Sequence, residues 1–192
     1  MHDSAFGLES YMATEFGRRV GAKEEEAFVI GDGQGKPTGI TADNGGADVG
    51  VTAASATAFT SDELIELYYS VKAPYRTRAT WLLNDTSIKA IRKLKDAQGQ
   101  YLWQPSLVAG SPDMLLGCPV KTSAYMPAIA AGAKTVAFGD FSYYWIADRE
   151  GRSFKKLSEL YAATGQVGFQ IMQRVDGKLL LSEAVKVLKQ KA

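Results

Sequence analysis

Gly31, Gly33, Gly35 and Gly39 put four glycines in nine residues around Lys36, and a glycine-rich loop beside a lysine is the composition that cradles phosphate on backbone N–H groups. The spacing does not fit that chemistry. A P-loop needs a glycine five residues before Gly35, where Ile30 stands, and Ser or Thr directly after Lys36, where Pro37 stands. The dinucleotide fingerprint fails as well, because Gly31-x-Gly33 is followed three residues on by Lys36. Both motifs also open a helix, whereas this stretch follows one. The reading is a structural hinge, a tight chain reversal made by Gly31, Gly33, Gly35, Pro37 and Gly39, since glycine takes positive φ at little cost.

Other reactive side chains are equally unpromising. His2 is the only histidine and lies at the terminus, so neither a Ser-His-Asp or Cys-His arrangement nor a histidine metal cluster can be built. Cys118, before Pro119 at an expected strand start, reads as a buried structural thiol rather than a nucleophile. Asp140, Asp148, Glu150 and Glu159 are carboxylates without informative spacing and read as surface or turn residues. Lys89, Arg92, Lys93 and Lys95 invite a nucleic-acid hypothesis but read as one solvated helix face. Phe138, Phe141, Tyr143, Tyr144 and Trp145 resemble a base-stacking platform, yet side chains alternate faces along a strand, so half belong to a core. The rest suit a neighbouring subunit, where aromatics are enriched. Trp81, Trp103, Phe138, Phe141, Tyr144 and Trp145 are the expected core or subunit-contact aromatics. No catalytic, cofactor-binding or metal-binding residue is assigned.

The elements that must position these residues can be read in order. Leu8, Met12, Phe16 and Val20 recur every fourth residue among Glu9, Glu15, Arg18 and Arg19, which is an amphipathic helix with Asp3-Ser4 available as a cap. Continued through Lys23-Glu24-Glu25-Glu26, it is roughly 23 residues and about 34 Å long. Thr41 to Thr60 reads as an exposed connection with a short strand near Val49-Gly50-Val51. Thr60 and Glu63 form a capping box for a helix with Leu64, Leu67, Tyr68 and Val71 inside, which Pro74 stops. Ala79 to Leu83 reads as a buried strand, and Asn84-Asp85-Thr86 caps a helix whose inner face is Ile88, Ile91 and Leu94. Later strands are expected over Thr135–Phe138, Tyr143–Ala147, Phe154–Leu157 and Gln166–Arg174, with hairpin turns at Glu150-Gly151 and Asp176-Gly177. Leu179 to Leu188 reads as one last strand. Helices and strands alternate irregularly, which points to the α+β class.

The 192 residues can bury about 70% of their unfolded surface. Twenty-two basic against 21 acidic residues give a net charge of +1, so no global field attracts nucleic acid or membrane. The single cysteine excludes an intrachain disulfide and fits a reducing cytoplasm. No apolar run approaches the roughly 18 residues of a membrane span, and the N-terminus does not read as a signal peptide.

Three blocks carry a resemblance. The first is Asp3-Ser4-Ala5-Phe6, Leu8-Glu9, the long helix, and Phe28 to Ile40 in the form Gly-Asp-Gly-x-Gly-x-Pro-x-Gly-Ile. The second runs from Trp81-Leu82-Leu83-Asn84-Asp85 through Lys93-Leu94-Lys95-Asp96 to Gly99-Gln100-Tyr101-Leu102-Trp103-Gln104-Pro105, then Leu115 to Val120. The third holds Ile129 to Gly132, Val136-Ala137-Phe138-Gly139-Asp140-Phe141-Ser142, and Tyr144-x-Ile146-x-Asp148-Arg149. Together they resemble the major capsid proteins of tailed bacteriophages and prophages, nearly across the whole chain. The resemblance implies a phage major capsid fold with a peripheral domain, holding a long spine helix and long strands, at 1–38 and 134–174. A mixed α/β axial domain would occupy 39–133 and 175–192.

It further implies a non-enzymatic structural protein that self-assembles into pentamers and hexamers of an icosahedral shell enclosing DNA. The partners would be other copies of itself, a portal, and packaged DNA held without sequence-specific contacts, with no membrane. The location would be the virion capsid, assembled in the bacterial host cytoplasm. The family's N-terminal arm and extended loop have no counterpart before this helix. The expectation is therefore a truncated subunit that folds but assembles poorly, exposing sheet edge or apolar patch. The lysine–asparagine crosslink of some relatives is not carried over, since the asparagines are Asn44 and Asn84 alone. The alternatives are an encapsulin-like nanocompartment shell, which shares the fold, and an unrelated small hydrolase or nucleotide-binding enzyme.

Overall fold

A computed structural model describes residues 7–103, 113–157 and 159–192; the expected Asp3-Ser4 cap, His2 and the Gln104-Pro105 end of the second block lie outside them. The first element, α1, spans Leu8–Ile30 and so runs past Glu26 through Ala27-Phe28-Val29-Ile30. Its described N-cap, Gly7, offers no side chain to the first turn. Strand β1 (Asp48–Thr52) falls where a short strand was expected. Helix α2 (Ser61–Ser70) starts with the reciprocal capping box between Thr60 and Glu63. Pro74 does not stop α2; it sits in the first turn of a separate short helix, α3 (Ala73–Arg76), where its missing N–H costs nothing. Strand β2 (Thr80–Leu83) leads into α4 (Asp85–Arg92), which Asn84 caps through Thr86.

Four strands complete the body: β3 (Met114–Leu115), β4 (Cys118–Thr122), β5 (Lys134–Gly139) and, at the chain's end, β8 (Val185–Lys189). They join β1 and β2 in a six-stranded mixed sheet of order β1-β8-β5-β2-β4-β3. The β5 run Val136-Ala137-Phe138 is apolar without alternation because both of its faces are covered. Val136 and Phe138 pack with Trp81, Leu83, Leu67, Ile91 and Leu188 beneath α2 and α4. Ala137 packs with Val185, Val187, Val29, Ile40 and Met126 on the opposite face.

Between β5 and β8 the chain leaves the body as an antiparallel ribbon of two long strands, β6 (Tyr144–Leu157) and β7 (Gly168–Leu179). Lys134–Gly139 is hydrogen-bonded in the middle of the six-stranded sheet, while 175–179 complete the ribbon. Expectations about turns and strand ends fail here. Neither Glu150-Gly151 nor Asp176-Gly177 is a hairpin turn. The first lies within β6 at a register shift, and Asp176 and Gly177 pair with Ala147 and Ile146. Gly177 is there for space, since a Cβ would meet the Tyr144 hydroxyl at 2.7 Å and the Phe28 ring at 3.1 Å. The expected last strand is broken too: Leu179 ends β7, and a 3₁₀ turn at Ser182–Ala184 precedes β8.

Candidate functional site

The residues singled out by sequence fall into three places. The first is the junction where α1 meets the base of the ribbon. Gly31 and Gly39 lie against each other's backbone: a Cβ on Gly31 would stand 2.1 Å from the Pro37 carbonyl, and one on Gly39 2.5 Å from the Gly31 nitrogen. Between them Gly33 and Gly35 take φ of 77° and 67°, and Asp32 and Thr38 form an antiparallel bridge. The loop is then tied outward. Thr38 donates its N–H to Gly177 at 2.8 Å, Tyr144 donates its hydroxyl to the Thr38 carbonyl at 2.9 Å, and Ile40 donates to Phe28 at 2.9 Å. Burial pushes the Tyr144 phenol far above its ordinary value, so it stays a neutral donor. Lys36 pairs with Asp32 at 3.3 Å. Its charge is answered inside the loop.

The second place is the core. Trp81 and Phe138 are fully buried with ring centroids 4.2 Å apart, and Trp81 donates its indole N–H to the Leu115 carbonyl at 2.9 Å. Trp103 is half-buried, donates to the Met114 carbonyl at 2.7 Å and lies under the Arg92 guanidinium. Phe141 and Tyr144 are half-buried against the second cluster.

The third place is the arm formed by α1 and the ribbon. Phe16 meets Phe154 at 5.9 Å, and Phe154 stacks on Phe169 at 5.7 Å. Glu24 accepts from Arg152 at 2.8 and 2.9 Å and from the Gln173 amide at 2.9 Å. Lys156 pairs with Glu9. One helix position away, Glu25 accepts from the Ser123 hydroxyl of the body at 2.6 Å. Open grooves remain. One of about 600 Å³ runs past Val20, Arg149, Lys155, Met172 and Arg174, and one of about 350 Å³ runs past Phe16, Val20, Pro37 and Val175. Trp145, 65% exposed, and Ile146 and Met172 are also uncovered. Among the described residues the ribbon pairs with no third strand, so its outer edges are open.

Sequence reasoning missed Glu24, Arg152 and Gln173. A signal was present: Leu8, Met12, Phe16, Val20, Glu24 and Phe28 form one i+4 series, so Glu24 is a carboxylate on the packing face and requires a partner. The Glu150 side chain lies outside the described ones, and the other candidate carboxylates do not gather. Asp140 caps a 3₁₀ turn by accepting from Ser142, while Asp148 and Glu159 are exposed. Burial raises the Cys118 thiol, which disfavours the nucleophilic thiolate. Glu15 is held down at about 2 by hydrogen bonds from Arg18 and then Arg19, an ion cluster within α1. Among the described residues, no three His, Cys, Asp or Glu are grouped to hold a metal, and no helix is long and apolar enough to cross a membrane.

A two-sided sheet body carrying a long helix and a half-covered ribbon is the architecture to compare. The model of the phage capsid family matches residues 1–190. The chain belongs to the phage capsid family. Among solved structures, the capsids of empty and native GTA particles are each 36% identical, with a TM-score of 0.87 over 99% of this chain and 68% of theirs. A structure from Mycobacterium phage Adephagia is 17% identical, with a TM-score of 0.66 over 100% of this chain and 67% of that one. The holo-SrpI encapsulin of Synechococcus elongatus PCC 7942 is 15% identical, with a TM-score of 0.64 over 95% of this chain and 65% of that one. At those lower identities the likeness is one of fold. Among curated proteins, none matches the chain. Family and fold make the protein a major capsid subunit.

Proposed function

We propose that copies of this subunit join as pentamers and hexamers that close into an icosahedral shell around DNA, assembled in the host cytoplasm and joined there by a portal. In this reading the work is assembly and not catalysis. Many weak, repeated contacts sum to a symmetric container. The observation that carries it is the 36% identity to GTA capsids along 99% of the chain. The geometry supports it: an arm with open strand edges and uncovered Trp145, Ile146 and Met172 needs a neighbour. Within this reading, α1 and the β6–β7 ribbon form the peripheral part, the six-stranded body forms the axial part, and Gly31–Gly39 is the hinge between them.

Light scattering on the purified chain, with negative-stain microscopy of the same fractions, tests this directly. Rings or closed shells show that the chain keeps enough interface to assemble by itself, whereas a monomer or small oligomer fits the poorly assembling subunit expected from the sequence. A chain that stays monomeric at every concentration even when joined to the family's N-terminal arm and extended loop overturns the proposal. Shells that protect an enzyme cargo instead of DNA from digestion would move the function to an encapsulin-like compartment.

A further inference from the structure

The ladder between β6 and β7 is broken at one place. Pairing runs from Tyr144↔Leu179 to Arg149↔Arg174, then resumes at Ser153↔Met172, so Glu150, Gly151 and Arg152 stand against the single residue Gln173. Gly151 takes φ of 63°, which suits glycine at a bulge. A two-stranded ribbon has little to stiffen it at such a point, because among the described residues no further strand carries the ladder across the gap. The two side chains that flank this break, Arg152 from the long side and Gln173 from the short side, both donate to the Glu24 carboxylate of α1. The Glu24 side chain is only 12% exposed, so its pair with Arg152, in which one guanidinium nitrogen reaches both carboxylate oxygens, is partly desolvated.

We propose that Glu24 is a clasp on a hinge. It holds the bulge closed against α1 and so fixes the angle of the distal ribbon, Ser153 to Met172, relative to the helix. Released, the distal ribbon keeps, among the described residues, only the Phe16–Phe154 contact and the exposed Glu9–Lys156 pair to α1, and it shifts about Gly151 while the base stays tied by Tyr144, Thr38 and Gly177. The closed state is not fully satisfied, since Gln173 gives its amide to Glu24 while its own Oε1 is buried without a partner. The neighbouring Glu25 bonds to Ser123, so the same turn of α1 couples the bend to the body. Subunits in pentamers and hexamers meet their neighbours at different angles, and a releasable bend lets one sequence serve both. This consequence rests on the assembly reading above.

Amide hydrogen exchange on the unassembled, intact chain tests the clasp without relying on assembly. In Glu24→Ala, amides of 149–153 and 172–174 should exchange at least about tenfold faster, with β5 and β8 unchanged. Arg152→Met, at a residue whose side chain is 55% exposed, should act on the same amides without threatening the fold. The reversed pair Glu24→Arg with Arg152→Glu should restore protection. Unchanged rates at the bulge in both single variants, or acceleration spread evenly over ribbon and body, overturn the proposal and leave the capsid assignment standing.

Discussion

The body and the arm of this subunit are built on opposite principles. In the body, β5 is buried along its whole length and the sheet is covered on both faces, so one chain supplies every contact its central strands need. In the arm, β7 alternates between exposed and half-buried residues, and its packing against α1 rests on a short aromatic line and ion pairs. Exposed ion pairs contribute little in water, and a two-stranded ribbon is marginal by itself. The body can therefore be stable alone, whereas the arm, among the described residues, is a half-covered layer, which suits the neighbouring copy proposed above.

The largest loss of stability is expected inside the body. Trp81→Ala removes the side chain that stacks on Phe138 and leaves the Leu115 carbonyl without its donor, so a loss of about 4 kcal/mol is expected in urea denaturation. A smaller effect, which sharpens the contrast, comes from glycines. Gly31→Ala drives a methyl into the Pro37 carbonyl and should cost about 3 kcal/mol. Gly151→Ala, in open space at positive φ within the ribbon, should cost about 1 kcal/mol by the same assay.

Smaller again is a pH effect at the sheet edge. The hydrogen bond from Lys186, before that from Ser182, holds the Asp48 carboxyl below its ordinary value. A folded value below the unfolded one stabilises above the unfolded carboxylate range and is lost as pH falls through the folded value. Asp48→Asn should thus be slightly less stable than wild type at about pH 7 and indistinguishable at about pH 2, read from paired denaturation curves. The smallest effect on folding belongs to the arm. Trp145→Ser should shift subunit stability by less than about 0.5 kcal/mol while weakening assembly measured by sedimentation.

Local physics was legible in the sequence by itself. The i+4 stripe of α1, the Thr60–Glu63 box, the Asn84 cap and the apolar runs of β2 and β5 each declare themselves within a few residues, because caps and periodicity are short-range. The failed phosphate motifs and the capsid family were legible for the same reason: both are patterns of residue spacing. Tertiary structure decided the rest. Whether Glu150-Gly151 and Asp176-Gly177 turn the chain or lie within strands depends on which residues face them across the ribbon, and such pairing is long-range. Only the folded body showed that β5 belongs to the central sheet, since a strand buried on two faces reads the same beside any partner. Only the folded arm gave Glu24 its meaning. A carboxylate on a packing face announces a missing cation, but Arg152 lies 128 positions away in the sequence, and the fold alone brings the two together.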